Sequence, residues 1–196
     1  MVAQPCWQFP RPKRVAHFLE KDNRRLFAHH QSHLQIKLFM NKGERISRFV
    51  ADLGADEVDL IQADIAKHPF YRAFFRCWNE QRYYEAHDVL EQLWLTTNTD
   101  DDYFFKGLIQ AAGAFVHLQK NFEQPTHAKH GKRLRPAVRL FRLAERNLLT
   151  FAPKHHEFDV GAFCQLLRAY ADQILACDYK RNPWSPETAP TLELDK

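Results

Sequence analysis

The chain has 196 residues, of which 45% are hydrophobic and 13% aromatic, and carries a net charge of +4. That length and apolar content suffice for one well-buried domain with appendages. The four cysteines, Cys6, Cys77, Cys164 and Cys177, form no CxxC pair and no zinc spacing, and no charged-then-apolar leader opens the sequence. Reduced thiols in the cytoplasm are the expectation. The most apolar run, 108–118, is interrupted by Gln110 and His117 and falls short of the roughly 20 residues of a membrane-spanning helix. No membrane partner is expected.

The small net charge hides segregation. Residues 1–50 hold ten basic against three acidic side chains, and 51–102 hold four against twelve. Residues 103–150 hold nine against two, and 151–196 hold five against seven. Two arrangements fit such blocks: helices of opposite sign lying side by side, or one basic surface that meets an anionic partner.

Residues 1–55 read as an extension of mixed, less regular structure. Apolar residues alternate at 34, 36, 38 and 40 and stop at Asn41-Lys42-Gly43, which fits a strand entering a hairpin. Ile46, Phe49, Val50 and Leu53 recur at helical spacing, and 15–30 is compatible with helix.

From Asp56 to 178 the pattern is helical. Asp56 suits an N-cap for a helix reaching Lys67, and Pro69 suits the first turn of the next, through Trp78. A third helix runs to about Leu95, and a fourth starts near Asp101, after a stretch rich in cap-forming side chains, and reaches Asn121. Residues 122–132 read as a polar loop, 134–151 as a fifth helix and 158–178 as a sixth. Residues 179–196, with three prolines in the last fifteen, read as an extended or disordered tail. The fold class is therefore all-α, a compact bundle of five to six helices over 56–178.

The third helix carries the chemistry. At about 100° per residue, Tyr83, Ala86, Val89, Leu90, Leu93 and Trp94 make an apolar arc. His87 and Glu91 sit at its border, one turn apart, while Glu85 falls nearly opposite and Asp88 points outward. On the fourth helix Lys106, Gln110 and His117 line one stripe beside the small residues Gly107, Ala111 and Ala114. That smooth edge is the expected seat of the third helix, docked antiparallel.

With that docking, His87 and Glu91 face Gln110 and His117. Two readings follow. In the favoured one the four residues form a buried hydrogen-bonded network that fixes the register of the helices or binds a small ligand. In the other, His87, Glu91 and His117 hold a divalent transition metal, zinc or iron(II), in a hydrolytic enzyme supported by Glu85 or Gln110. The spacing is neither HExxH nor the E-x-x-H of di-iron bundles, so whether the protein is an enzyme stays open.

The stretches FRCWNEQRYYEAHDVLEQLW and FFKGLIQAAGAFVHLQKN resemble the family known as domain of unknown function 309, whose hallmark is an EAHE-x-LE-x-LW helix followed by a GLIQ-x-A-A-x-x-H helix. The resemblance covers roughly 70–178. It maps the signature onto Glu85, Ala86, His87, Leu90, Glu91, Trp94, Gly107, Leu108, Ile109, Gln110, Ala111 and His117. Asp88 replaces the usual glutamate, and the segment 122–132 replaces a shorter glycine-containing link. The resemblance implies a compact all-α fold and no established activity.

The fifth helix is basic, with Arg135, Arg139, Arg142 and Arg146 along one stripe opposite Ala137, Leu140, Phe141, Ala144 and Leu148. Such a stripe suits the phosphates of nucleic acid or an acidic protein. A solvated face, or pairing with the acidic block 51–102, is favoured, because few aromatics interleave with the arginines. A homo-oligomer is compatible with the sequence.

Overall fold

The structure is a computed structural model, and it describes residues 42–52, 64–96 and 100–195. The expectations for 15–30, for the alternation at 34–40, and for the body of a helix opening at Asp56 lie outside the described residues. Six α-helices build the described fold: α1 Lys42–Asp52, α2 Pro69–Asn79, α3 Tyr83–Thr96, α4 Asp102–Glu123, α5 Leu134–Leu148 and α6 Val160–Ala176. A two-stranded antiparallel hairpin, β1 Lys154–His155 with β2 Phe158–Asp159, precedes α6. This is the all-α bundle that the periodicity predicts.

Three stretches differ from the sequence reading. Lys42 and Gly43 belong to α1 instead of a hairpin turn, since Ile46 and Val50, both buried, gain more from a helical apolar face than the glycine loses. The sixth helix begins at Val160, not Phe158, and Asp159 caps it by accepting the N–H of Ala162 at 2.8 Å. The helix expected to reach Lys67 ends as a 3-10 turn, Ile65–Lys67, whose first N–H groups are met by Asp64.

α2 starts as its sequence dictates, with Pro69 at the first helical turn, where its missing N–H costs nothing. It ends in a Schellman closure: Gln81 takes a left-handed φ of 58°, Arg82 N–H bonds Cys77 O at 2.8 Å, and Gln81 N–H bonds Trp78 O at 2.8 Å. This tight link folds α3 back on α2. α3 and α4 run antiparallel, because Trp94 near the end of α3 donates to Asp102 at the start of α4, at 2.7 Å.

α4, 22 residues long, is the central element, packed against α3 and against α5. Its Phe104, Phe105, Leu108, Ala111, Phe115 and Leu118 are fully buried. Around Phe115 the core is aromatic: the Trp78 ring lies 4.7 Å from Phe115, 5.2 Å from Tyr83 and 5.5 Å from Phe163. Each such side chain contributes about 1.5–3 kcal/mol by leaving water. Gly107 marks a close contact between α4 and α5. A Cβ there would stand 2.6 Å from Leu148 Cγ and 3.2 Å from Ala144 O, so it is α5, not α3, that rests on the Gly107 edge.

Beyond α6 the chain runs extended across the bundle. Trp184 and Leu192 are buried. Trp78 donates its indole N–H to Pro190 O at 2.9 Å, and Asn79 binds both backbone groups of Leu192, at 2.8 and 2.7 Å. Leu194 bridges to Phe158 of β2. The three prolines keep this strap from coiling into helix, and its apolar side chains close the aromatic core. Among the described residues no helix is long and apolar enough to cross a membrane.

Candidate functional site

Two signature residues, His87 and Glu91, meet Asp88 on α3. His87 Nδ1 lies 3.2 Å from Asp88 Oδ1, and one ligand atom each of His87, Asp88 and Glu91 lie within 4.8 Å of one another. The His87 ring leans over α4, where a Cβ added to Gly113 would come within 4.0 Å of its Cδ2. The His87 side chain is 32% exposed and that of Asp88 18%, so the group is sheltered yet reachable by water. Asp88 was expected to point outward, since successive residues sit 100° apart on a helix. Its short carboxylate turns back along the helix to the imidazole instead. Glu85 stands apart from this group, half-buried and 3.5 Å from Arg82 Nε.

The other signature residues are tied elsewhere. Gln110, 8% exposed, accepts a hydrogen bond from Asn147 Nδ2 at 2.8 Å. His117 Nδ1 lies 2.8 Å from an Arg133 guanidinium nitrogen. A guanidinium only donates, so His117 accepts through Nδ1, and its proton sits on Nε2. Burial, with Arg133 and Lys120 adding to it, pushes the His117 pKa down to about 4. Trp94 is held by Asp102.

The four-residue cluster is therefore divided. His87 and Glu91 stay together, with Asp88 added, whereas Gln110 meets α5 and His117 meets Arg133 at its entrance. The stripe borders both neighbours: Gly107 packs on Leu148 of α5, and Gly113 approaches Leu140 of α5 and His87 of α3. His117, with Nδ1 engaged by Arg133, does not join the ligand atoms that converge on α3, where the donor set is His87, Asp88 and Glu91.

A second group joins Asp101 to the hairpin. His155 Nε2 lies 2.6 Å from one oxygen of Asp101, and His156 Nε2 lies 3.0 Å from the other. Burial opposes ionisation of Asp101, but the two imidazole hydrogen bonds outweigh it and hold the carboxyl below its ordinary range. Sequence reading places Asp101 at the start of the fourth helix and gives His155 and His156 no role. The signal available was the His-His pair after the fifth helix, which no periodicity connects with an aspartate 54 positions earlier.

The arginine stripe lies exposed along α5. Arg142 binds Glu145 at 3.3 Å and Asp172 of α6 at 2.5 Å, and Arg168 closes on the buried Glu145 at 2.7 Å. Arg135 lies over the Tyr179 ring at 4.1 Å. Arg139 and Arg146 face solvent. The partners found for Arg142 thus lie on α5 and α6, not in the acidic block 51–102.

The model of the family described as Domain of unknown function (DUF309) matches residues 71–126. This span contains Glu85, His87, Asp88, Glu91, Trp94, Gln110 and His117, and it bears out the resemblance over α2 to α4. No curated protein and no solved structure matches the chain.

Proposed function

We propose that this chain, a DUF309 protein over residues 71–126, is a helical module that binds a divalent metal ion through His87, Asp88 and Glu91. The observation that carries this reading is the convergence of one imidazole and two carboxylates within 4.8 Å. Metal bonds of about 2.0–2.2 Å set tetrahedral ligand atoms roughly 3.4 Å apart. Small side-chain rotations close the difference. An imidazole with two carboxylates suits zinc, iron(II) or manganese better than a soft ion.

In this reading the signature divides its labour. Trp94, Gln110 and His117 spend their polar atoms on neighbouring elements and fix register, while the α3 group takes the ligand. The partial exposure of His87 leaves positions on the ion to water, and activation of that water for hydrolysis is the chemistry such a site offers. We place the protein in the cytoplasm, a reading supported by the free thiols of Cys77, Cys164 and Cys177. The exposed Arg139 and Arg146 leave phosphate binding as a lesser reading, since Arg135 and Arg142 are already engaged.

Calorimetric titration of the chelator-treated full chain with zinc chloride tests the main reading. His87→Ala should lose one equivalent of zinc relative to the unaltered chain, and Glu91→Gln should weaken that equivalent. Gln110→Ala should leave it in place while lowering the melting temperature. Equal stoichiometry and affinity in His87→Ala would overturn the reading.

A further inference from the structure

We propose that Asp101, His155 and His156 form a second metal site, separate from the signature group and independent of it, for an ion of zinc or iron(II) type. Both imidazoles present Nε2 to one carboxylate, at 2.6 and 3.0 Å. Two neutral imidazoles and a carboxylate are the donors of three-ligand sites that keep a position open for water or substrate.

The placement of Asp101 is the first support. It occupies the N-cap of α4, where an aspartate ordinarily accepts a backbone N–H of the first turn. Its side chain makes no capping bond; both its oxygens go to the histidines. A residue that leaves its helix start uncapped to meet two imidazoles is held there by that meeting.

The rigidity of the hairpin is the second. His156 and Glu157, the two-residue loop of the hairpin, both adopt left-handed φ, 46° and 60°, as loops of this length favour, and their surroundings pin them. The surroundings are visible: the Tyr71 hydroxyl donates to His156 O at 3.2 Å, Asp195 N–H donates to Glu157 O at 2.7 Å, and Lys154 pairs with Asp195 at 2.6 Å. Phe104 and Phe151 each stand 4.8 Å from the His155 ring. They wall the site with apolar surface, which strengthens charge interactions inside it. The side chains are 28%, 22% and 15% exposed for His155, His156 and Asp101, so an ion has a way in.

Cobalt(II) chloride added to the chelator-treated full chain tests the proposal, because cobalt reports nitrogen and oxygen ligation in its visible absorption. In a His87→Ala background, which silences the signature group, one equivalent of cobalt should bind with a visible band. Adding His155→Gln should weaken that binding at least about tenfold with unchanged far-ultraviolet circular dichroism. A His87→Ala chain that takes up no cobalt, or binding that His155→Gln leaves intact, would mean that the contact is a hydrogen-bonded clamp only and would overturn the proposal. Cobalt lost with His155→Gln but not with His87→Ala would uphold this site while removing the signature one. If the His155 variant unfolds, nitrogen spectra of the unaltered chain decide: Nε2 of His155 and His156 should shift on adding zinc chloride, and unmoved resonances contradict the site.

Discussion

Asn147 of α5 donates its side-chain amide to Oε1 of Gln110 of α4 across 2.8 Å. The bond fixes the sliding position of the two helices, because Gln110 is nearly buried and its carbonyl has little access to water. Gly107, one turn earlier on α4, lies under Leu148 of the same helix α5. Asn147→Ala should therefore cost about 1–3 kcal/mol by stranding the Gln110 carbonyl. The double variant Gln110→Leu with Asn147→Leu should recover much of that loss. Urea unfolding measures both, and a double variant no more stable than Asn147→Ala would remove the register role.

His117 gives a pH dependence with a definite sign. Its pKa stands near 4 in the folded protein against 6.5 for an ordinary histidine, because burial, Arg133 and Lys120 all oppose a charged imidazole. Above pH 6.5 the ring is neutral in both states, and the stabilising contribution is complete. As the pH falls from 6.5 toward 4 the unfolded chain takes up the proton and the folded chain does not, so stability declines. Partial exposure screens the effect, which should reach about 1–2 kcal/mol. His117→Gln keeps an acceptor for Arg133 without titrating, so its stability should fall less over that range. Parallel curves for the two proteins would contradict the assignment.

Trp184 anchors the strap that follows α6. It is 2% exposed, donates its indole N–H to Tyr83 Oη at 3.2 Å, and stands edge-on to Phe122 at 5.4 Å. Trp184→Ala should destabilise the fold by about 3–5 kcal/mol, as expected for a large aromatic removed from a core. A loss under about 1 kcal/mol in denaturant unfolding would show that the strap adds nothing to the bundle.

The helices were legible where a period or a cap announced them. Pro69, the arc from Tyr83 to Trp94 and the stripe on α5 each carry such a mark. The hairpin before α6 was not legible, since two-residue strands are too short to show alternation. His87 and Glu91 were found because residues four apart share a helix face. Asp88 was missed because a wheel treats side chains as radial and ignores a carboxylate that bends back. The partners of Gln110 on α5 and of His117 at its entrance were not legible, since a smooth edge of small residues says that a helix docks closely but not which helix. Asp101 and the His155-His156 pair meet only through tertiary folding, and the buried ends of the strap at Trp184 and Leu192 likewise depend on contacts far along the chain.

Anomalous diffraction from crystals of the full chain grown with zinc chloride tests the central claim most directly. The account predicts a zinc peak on α3 at about 2.0–2.2 Å from one imidazole nitrogen of His87 and one oxygen each of Asp88 and Glu91. A map with zinc elsewhere and no peak among these three side chains would contradict it.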